Sequence, residues 1–165
     1  MSSLAIIILT KNEEKHIEAV ITNAKQVTDK VLIVDSGSTD RTVELAEKNG
    51  VRVVFRAWDN DFSAQRNFAL ENIDTEWVLY LDADERMNDI LVADIKNALK
   101  NEKKALYRFE RRNSAFGRDF RFGVLGPDAV NRMFPKSLGQ WQGKVHESVK
   151  SSLPIITLKD RKSVV

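Results

Sequence analysis

A length of 165 residues suits one domain. With 42% apolar and 30% charged residues, the chain can bury a core without staples. The absence of cysteine excludes disulfides and thiolate metal sites, and a net charge of +2 leaves recognition to local clusters rather than to a whole-molecule field. The longest apolar run, Leu4 to Leu9, is too short to span a bilayer and lacks the basic start and small-residue cleavage site of a signal peptide. The expected setting is the cytoplasm, compatible with a peripheral contact at the inner membrane surface.

In chain order, Leu4–Leu9 is a continuous β-branched run that suits a strand buried on both faces. Ile17, Val20, Ile21 and Ala24 recur at helical spacing and predict a helix over Glu13–Lys25. Val31–Val34 reads as a second buried strand, and the turn from Asp35 to Asp40 leads into a helix stopped by Gly50. Val51–Phe55 is a third strand. A loop through Trp58 and Asp61 then leads to a helix over Ser63–Asn72, and Trp77–Leu81 is a fourth strand. Repeated strand–helix units argue for an α/β fold with a doubly wound, mostly parallel sheet and helices on both faces. In such sheets ligands sit beyond the carboxyl ends of the strands, where Thr10 to Glu13, Asp35 to Asp40 and Asp82 to Glu85 fall. Beyond these, Asp89–Leu99 predicts a helix, Leu106–Arg112 a strand with one wetter face, Ser114–Pro127 a loop and Ala129–Phe134 a strand; Lys159–Val165 reads as a charged, frayed tail.

Asp82-Ala83-Asp84 is the sharpest chemical signal. Residues two apart on a strand point the same way, so the pair offers hard oxygens to one Mg²⁺ or Mn²⁺, which would neutralise a departing diphosphate. Asp59-Asn60-Asp61 and Asp74-Thr75-Glu76 have the same spacing but lie in loop-like segments and are not assigned to metal. Asp35 can accept hydrogen bonds from a base or ribose, or cap its own turn. Arg66 can pair with a phosphate or a carboxylate, and the His146-Glu147 pair can supply a metal ligand and a general base or be structural. No Gly-rich phosphate cradle is present. Arg108, Arg111, Arg112, Arg118 and Arg121 interleave with Phe109, Phe116, Phe120 and Phe122. That stretch suits a solvated strand face or an acidic or phosphorylated acceptor. The near-balanced charge and the acidic crevice speak against a nucleic-acid partner.

Four segments resemble the family 2 glycosyltransferases in order and spacing. They are Ile7-Ile-Leu-Thr-Lys-Asn-Glu-Glu14, Val34-Asp-Ser-Gly-Ser-Thr-Asp-Arg-Thr42, Ala64-Gln-Arg-Asn-Phe-Ala69 and Leu81-Asp-Ala-Asp-Glu85, and Val145-His-Glu147 extends the likeness. Asp-Ala-Asp-Glu with Val-His-Glu is most similar to the branch that adds glucose to the lipopolysaccharide inner core. The resemblance implies a single GT-A domain over residues 1–165, with a nucleotide-sugar-binding half (1–90), an acceptor-side half (91–158) and a tail (159–165). It also implies inverting, metal-dependent transfer of a hexose, glucose in that branch, from a UDP-sugar donor to a glycan or lipid-linked acceptor. The missing Gln-x-x-Arg-Trp motif argues for non-processive transfer.

Carried over by the resemblance, Thr10, Asn12 and Glu13 line the nucleoside pocket, Asp35 holds the base and Arg66 lies near the nucleotide. Asp82 approaches ribose or metal, Asp84 is the main metal ligand and His146 completes the metal or diphosphate site. Glu147 is the favoured general base, with Glu85 as its rival. Relatives continue past the position of Val165, so a shortened C-terminal part is expected, and with it the alternative of a donor-binding remnant without transfer.

Overall fold

The computed structural model describes residues 2–101, 103–115, 118–119 and 128–164. The chain opens with β1 (Leu4–Thr10), α1 (Ile17–Ala24), β2 (Val31–Asp35), α2 (Thr42–Lys48), β3 (Arg52–Phe55), α3 (Phe62–Glu71) and β4 (Trp77–Tyr80). The short β5 (Glu85–Arg86), α4 (Asp89–Lys100), β6 (Leu106–Ala115), β7 (Arg118–Asp119) and β8 (Asp128–Pro135) follow. A one-turn 3₁₀ segment, Lys136–Leu138, leads to β9 (Gln140–Gln142), β10 (Ser148–Lys150) and β11 (Ile155–Val164). Among the described residues no helix is long and apolar enough to cross a membrane.

The main sheet runs β3-β2-β1-β4-β8-β6-β11-β5, with β7 paired to β6. β3, β2, β1 and β4 are parallel, as the repeated strand–helix units require, and β8 is antiparallel to both β4 and β6. Ile6, Ile7 and Ile8 of β1 are wholly buried because helices cover both faces. One face packs on α1 and α4 through Ile17, Ile21, Leu91 and Ile95; the other carries Ala69 and Leu70 of α3 with Tyr80, Phe134 and Trp141. The strand order reverses at β1, with β2 and β3 on one side and β4 on the other, which opens a crevice beyond the ends of β1, β2 and β4.

Three segments differ from sequence expectation; of Ser114–Pro127, expected as a loop, Ser114 and Ala115 belong to β6 and pair with Asp119 and Arg118 of β7. The helix predicted from Glu13 begins at Ile17. Asn12 adopts φ 56°, and the N–H groups of Asn12, Glu13 and Glu14 donate to Ser38 Oγ, Thr42 Oγ1 and Asp40 Oδ2. Bonds to the neighbouring loop replace the first helical turn. The segment expected as a frayed tail from Lys159 continues β11 through Val164 between β6 and β5, with a register shift between Leu158 and Lys162. Pairing of Lys162, Ser163 and Val164 with β6, and of Ser163 and Val164 with β5, overrides its charged composition. Of the Arg–Phe stretch, Arg108 donates Nε–H to Asn131 Oδ1 at 3.0 Å and Phe109 is core. Phe116, Phe120, Arg121 and Phe122 lie outside the described residues, as do the side chains of Arg111, Arg112 and Arg118.

The β9–β10 hairpin closes one end of the core and leaves little room at its entry. A Cβ on Gly139 would stand 2.6 Å from Phe134 Cε2 and 3.0 Å from Val149 Cγ1. Phe134 is fully buried, so Gly139→Ala is expected to cost about 1–3 kcal/mol by overpacking, read as a lower urea midpoint at unchanged slope.

Candidate active site

Two adjoining cavities lie beyond the carboxyl ends of the parallel strands. The smaller, of about 260 Å³, is bounded by Thr10, Lys11, Ser36, Trp58, Phe62 and Gln65. The larger, of about 720 Å³, is bounded by Arg66, Asp82, Asp84, Arg132, His146 and Glu147 among others, and Glu13 borders both.

The smaller cavity rests on Asp35. Its Oδ1 accepts the N–H groups of Gly37 and Ser38, both at 2.8 Å. Its Oδ2 accepts the hydroxyls of Thr10 at 2.8 Å and Ser38 at 2.6 Å. Burial alone would raise this carboxyl, but the bonds from Ser38, Thr10 and Gly37 outweigh it and hold Asp35 below the usual aspartate range. Asp35 therefore builds the loop beneath the cavity, and its own oxygens are already taken; it borders neither cavity, contrary to the expectation that it contacts a base. Asn12 borders neither cavity as well. Its side-chain Oδ1 accepts Thr39 N–H at 2.8 Å, tying the loop after β1 to the loop after β2. Thr10 lies in the wall with its hydroxyl turned to Asp35. Trp58 and Phe62, with centroids 4.6 Å apart, form an exposed aromatic rim.

α3 positions the larger cavity. Asp61 caps the helix by accepting Ala64 N–H, and Asp59 pairs with Arg56, which accounts for one lookalike acidic triplet. From α3, Ser63 Oγ donates to Gly143 O and Phe62 N–H to Lys144 O, while the Asn67 amide exchanges two bonds with the Trp141 backbone. These bonds fix the β9–β10 hairpin, and with it Glu147, against the helix.

At the centre is a buried ionic group. Arg66 donates from Nε and Nη2 to Glu147 Oε1 at 3.2 and 3.1 Å, and from Nη2 to Asp82 Oδ1 at 3.3 Å. Its guanidinium lies 4.7 Å from the Trp141 ring centroid and 5.3 Å from that of Tyr80. Arg132 reaches Asp82 Oδ2 from the other side, at 2.6 Å. Burial and the neighbouring Arg132 charge lower the Arg66 pKa, against the pull of Asp82 and Glu147. Arg132 was not singled out from the sequence.

Asp84 makes no ion pair among the described residues. Burial, then the charges of Asp82 and Glu85, raise its pKa. Glu13 is raised as well, by burial and by Asp84 and Asp40 against His16. Two carboxyls with raised pKa values facing one cavity fit a divalent cation. Asp82 fits less directly, because each of its oxygens already accepts a guanidinium bond. Among the described residues no three His, Asp or Glu side chains converge on one point, so Asp82, Asp84 and His146 do not form the expected ready cluster; His146 is exposed on the hairpin. Glu85 is buried and its Oε2 accepts Asp82 N–H at 3.0 Å. It braces the turn after β4 rather than bordering the cavity, which corrects its reading as rival base.

The family model described as glycosyl transferase family 2 matches residues 5–147. An uncharacterised glycosyltransferase of Rickettsia conorii is 40% identical over 93 residues, which cover 56% of this chain and 33% of the relative. The chain spans about a third of the length of the rickettsial relatives it matches. S. aureus TarS, solved in complex with UDP-GlcNAc, superposes at TM-score 0.67 with 19% identity, covering 98% of this chain and 58% of that one. Glucosyl-3-phosphoglycerate synthase from Mycobacterium tuberculosis, in complex with Mn²⁺, UDP and glucosyl-3-phosphoglycerate, superposes at TM-score 0.56 with 21% identity over 69% of this chain and 45% of that one. The sheet is thus of the GT-A type.

Proposed function

The chain belongs to glycosyl transferase family 2, and from that premise we propose that it binds a UDP-sugar and transfers its hexose, with inversion, to a glycan or lipid-linked acceptor on the cytoplasmic side of a membrane. The observation that carries this reading is the meeting of Asp84, Asp82, Arg66 and Glu147 around one cavity beside a nucleoside-sized pocket. The UDP-GlcNAc and Mn²⁺ complexes of the structural neighbours support the donor class and the cation. Glucose as the sugar, and lipopolysaccharide core as the acceptor, rest on the sequence resemblance.

In this reading the nucleoside enters between the Trp58–Phe62 rim and the loop that Asp35 holds, where aromatic faces and the Thr10 and Ser36 wall meet it. Asp84, with Glu13 facing the same cavity and Asp82 and His146 joining as it fills, would hold Mg²⁺ or Mn²⁺, which would supply positive charge to the departing diphosphate. Glu147 is the general base. Arg66 occupies Oε1, which leaves Oε2 for the proton of the acceptor hydroxyl. The acceptor oxygen attacks the anomeric carbon as its proton passes to Glu147 and the bond to the diphosphate breaks. Trp141 and Tyr80 hold Arg66, and through it the base, in place.

A thermal melt tests this reading. UDP with Mn²⁺ should raise the wild-type midpoint by more than either alone, and Asp84→Asn should abolish the cation-dependent part. Because the Asp84 pKa is raised, protons compete with the cation above the ordinary aspartate range. The cation-dependent shift should therefore fade on acidification earlier than an unperturbed carboxylate would dictate. Midpoints indifferent to both ligands overturn donor binding. A full melt shift without UDP release from UDP-glucose leaves donor binding without transfer.

A further inference from the structure

Arg132 lies on β8 in the wall of the larger cavity, with 6% of its side chain exposed. A guanidinium offers five N–H donors. Nη2 is committed to Asp82, but neither Nε nor Nη1 has a hydrogen-bond partner among the described residues. Stranding buried donors is costly, and doing so on a cation beside a second buried cation, Arg66, is more so. The fold keeps the arrangement by lending Asp82 to both arginines. Asp82 also borders the cavity beside Asp84, and in the proposed function it would help to hold a cation. Each Asp82 oxygen accepts one guanidinium bond, and a divalent ion on the same carboxylate would draw on the negative charge that holds both, so engaging the cation weakens its hold on Arg132. The charge then left in the cavity wall calls for an anion from the ligand.

We propose that Arg132 is a phosphoryl-binding residue, held on Asp82 in the free protein and handed to a phosphoryl group of the ligand when the cavity fills. The proposal rests on the reading of the cavity as the donor and acceptor site. The phosphoryl group has two chemical sources: the diphosphate of the donor, or a phosphorylated acceptor entering from the β8 side. A planar fork beside a phosphoryl group favours arginine specifically, so lysine should replace it poorly.

Calorimetric titration with Mn²⁺ present, on wild type, Arg132→Gln and Arg132→Lys, separates the cases; far-UV circular dichroism confirms folding. If the donor supplies the group, UDP should bind both variants about tenfold or more weakly, as expected for loss of a charge-assisted bond, while uridine binds all three alike. If the acceptor supplies it, UDP affinity should be unchanged, and the binding of inorganic phosphate to the UDP-saturated wild type should disappear in both variants. Equal affinities of all three proteins for UDP and phosphate overturn the proposal. Failure of the wild type to bind either UDP or uridine would instead overturn the donor reading, and the phosphate titration would still decide the role of Arg132. Should both variants fail to fold, the wild type answers alone: the Arg132 Nε–H resonance must move on titration with UDP or phosphate, and a stationary resonance overturns the assignment.

Discussion

Arg66→Ala is expected to lower folding stability by about 3–5 kcal/mol, because it removes the cation from a buried ionic group whose anions stay behind. Three bonds are lost, two to Glu147 and one to Asp82, and the Glu147 side chain is only 16% exposed. The guanidinium also fills the space between the Trp141 and Tyr80 rings, so truncation leaves a gap against two aromatic faces as well as stranding charge. Arg66→Lys keeps the charge but lacks the planar fork that meets Glu147 from two nitrogens, and should fall between the two. Urea denaturation of the single variants and of Arg66→Ala with Glu147→Ala measures the coupling. The double variant should recover part of the loss, since no carboxylate remains at position 147 to be left unpaired. A single-variant loss below about 0.5 kcal/mol, the size of an ordinary surface change, would show that the group is solvated and the ionic account wrong.

The ease of reading this chain follows from where its information lies. β1, β2 and β4 were legible because strands buried on both faces leave continuous apolar runs, and the three polar clusters that follow them fell at one sheet edge as the topology requires. β11 was not legible: its charged residues carry no apolar pattern, and the backbone pairing that holds it to β6 and β5 has no sequence signature. The β9–β10 hairpin was hidden for a related reason, since α3 side chains bond to its backbone rather than to matching side chains. Arg132 did leave a signal. It alternates with Val130 and Phe134 along β8, and Phe134 is core, so a charge stood on a face that had to be buried and therefore had to be paired or used. Asp35 shows the converse. Its position at the end of a buried strand was plain, but whether its oxygens face a ligand or their own loop depends on the positive φ of Gly37, 92°, which folds the loop back over them.

That folding back makes Asp35→Ala the second large effect. Four donors converge on this carboxylate, two of them backbone N–H groups. A loss of about 2–4 kcal/mol is expected, since one bond to a charged group contributes about 1.5–3 and water can replace part of the set. Asp35→Asn should lose less, because the Thr10 and Ser38 hydroxyls can turn to accept from an amide while its oxygen keeps both backbone N–H groups. The dependence on pH separates the two variants from wild type. The folded-state pKa of Asp35 is depressed, so its contribution is complete above the unfolded value, near 3.9, and is lost as pH falls through the lower folded value. Wild type should therefore show an acid limb in stability that is shallower in both variants. The functional consequence follows from the same bonds. Ser36 accepts from Gln65 of α3 and lines the nucleoside-sized cavity, so slackening this loop should weaken uridine binding in Asp35→Ala more than in Asp35→Asn. Equal weakening in both, with stability preserved, would mean that Asp35 meets the ligand through its charge and that the loop opens to admit it.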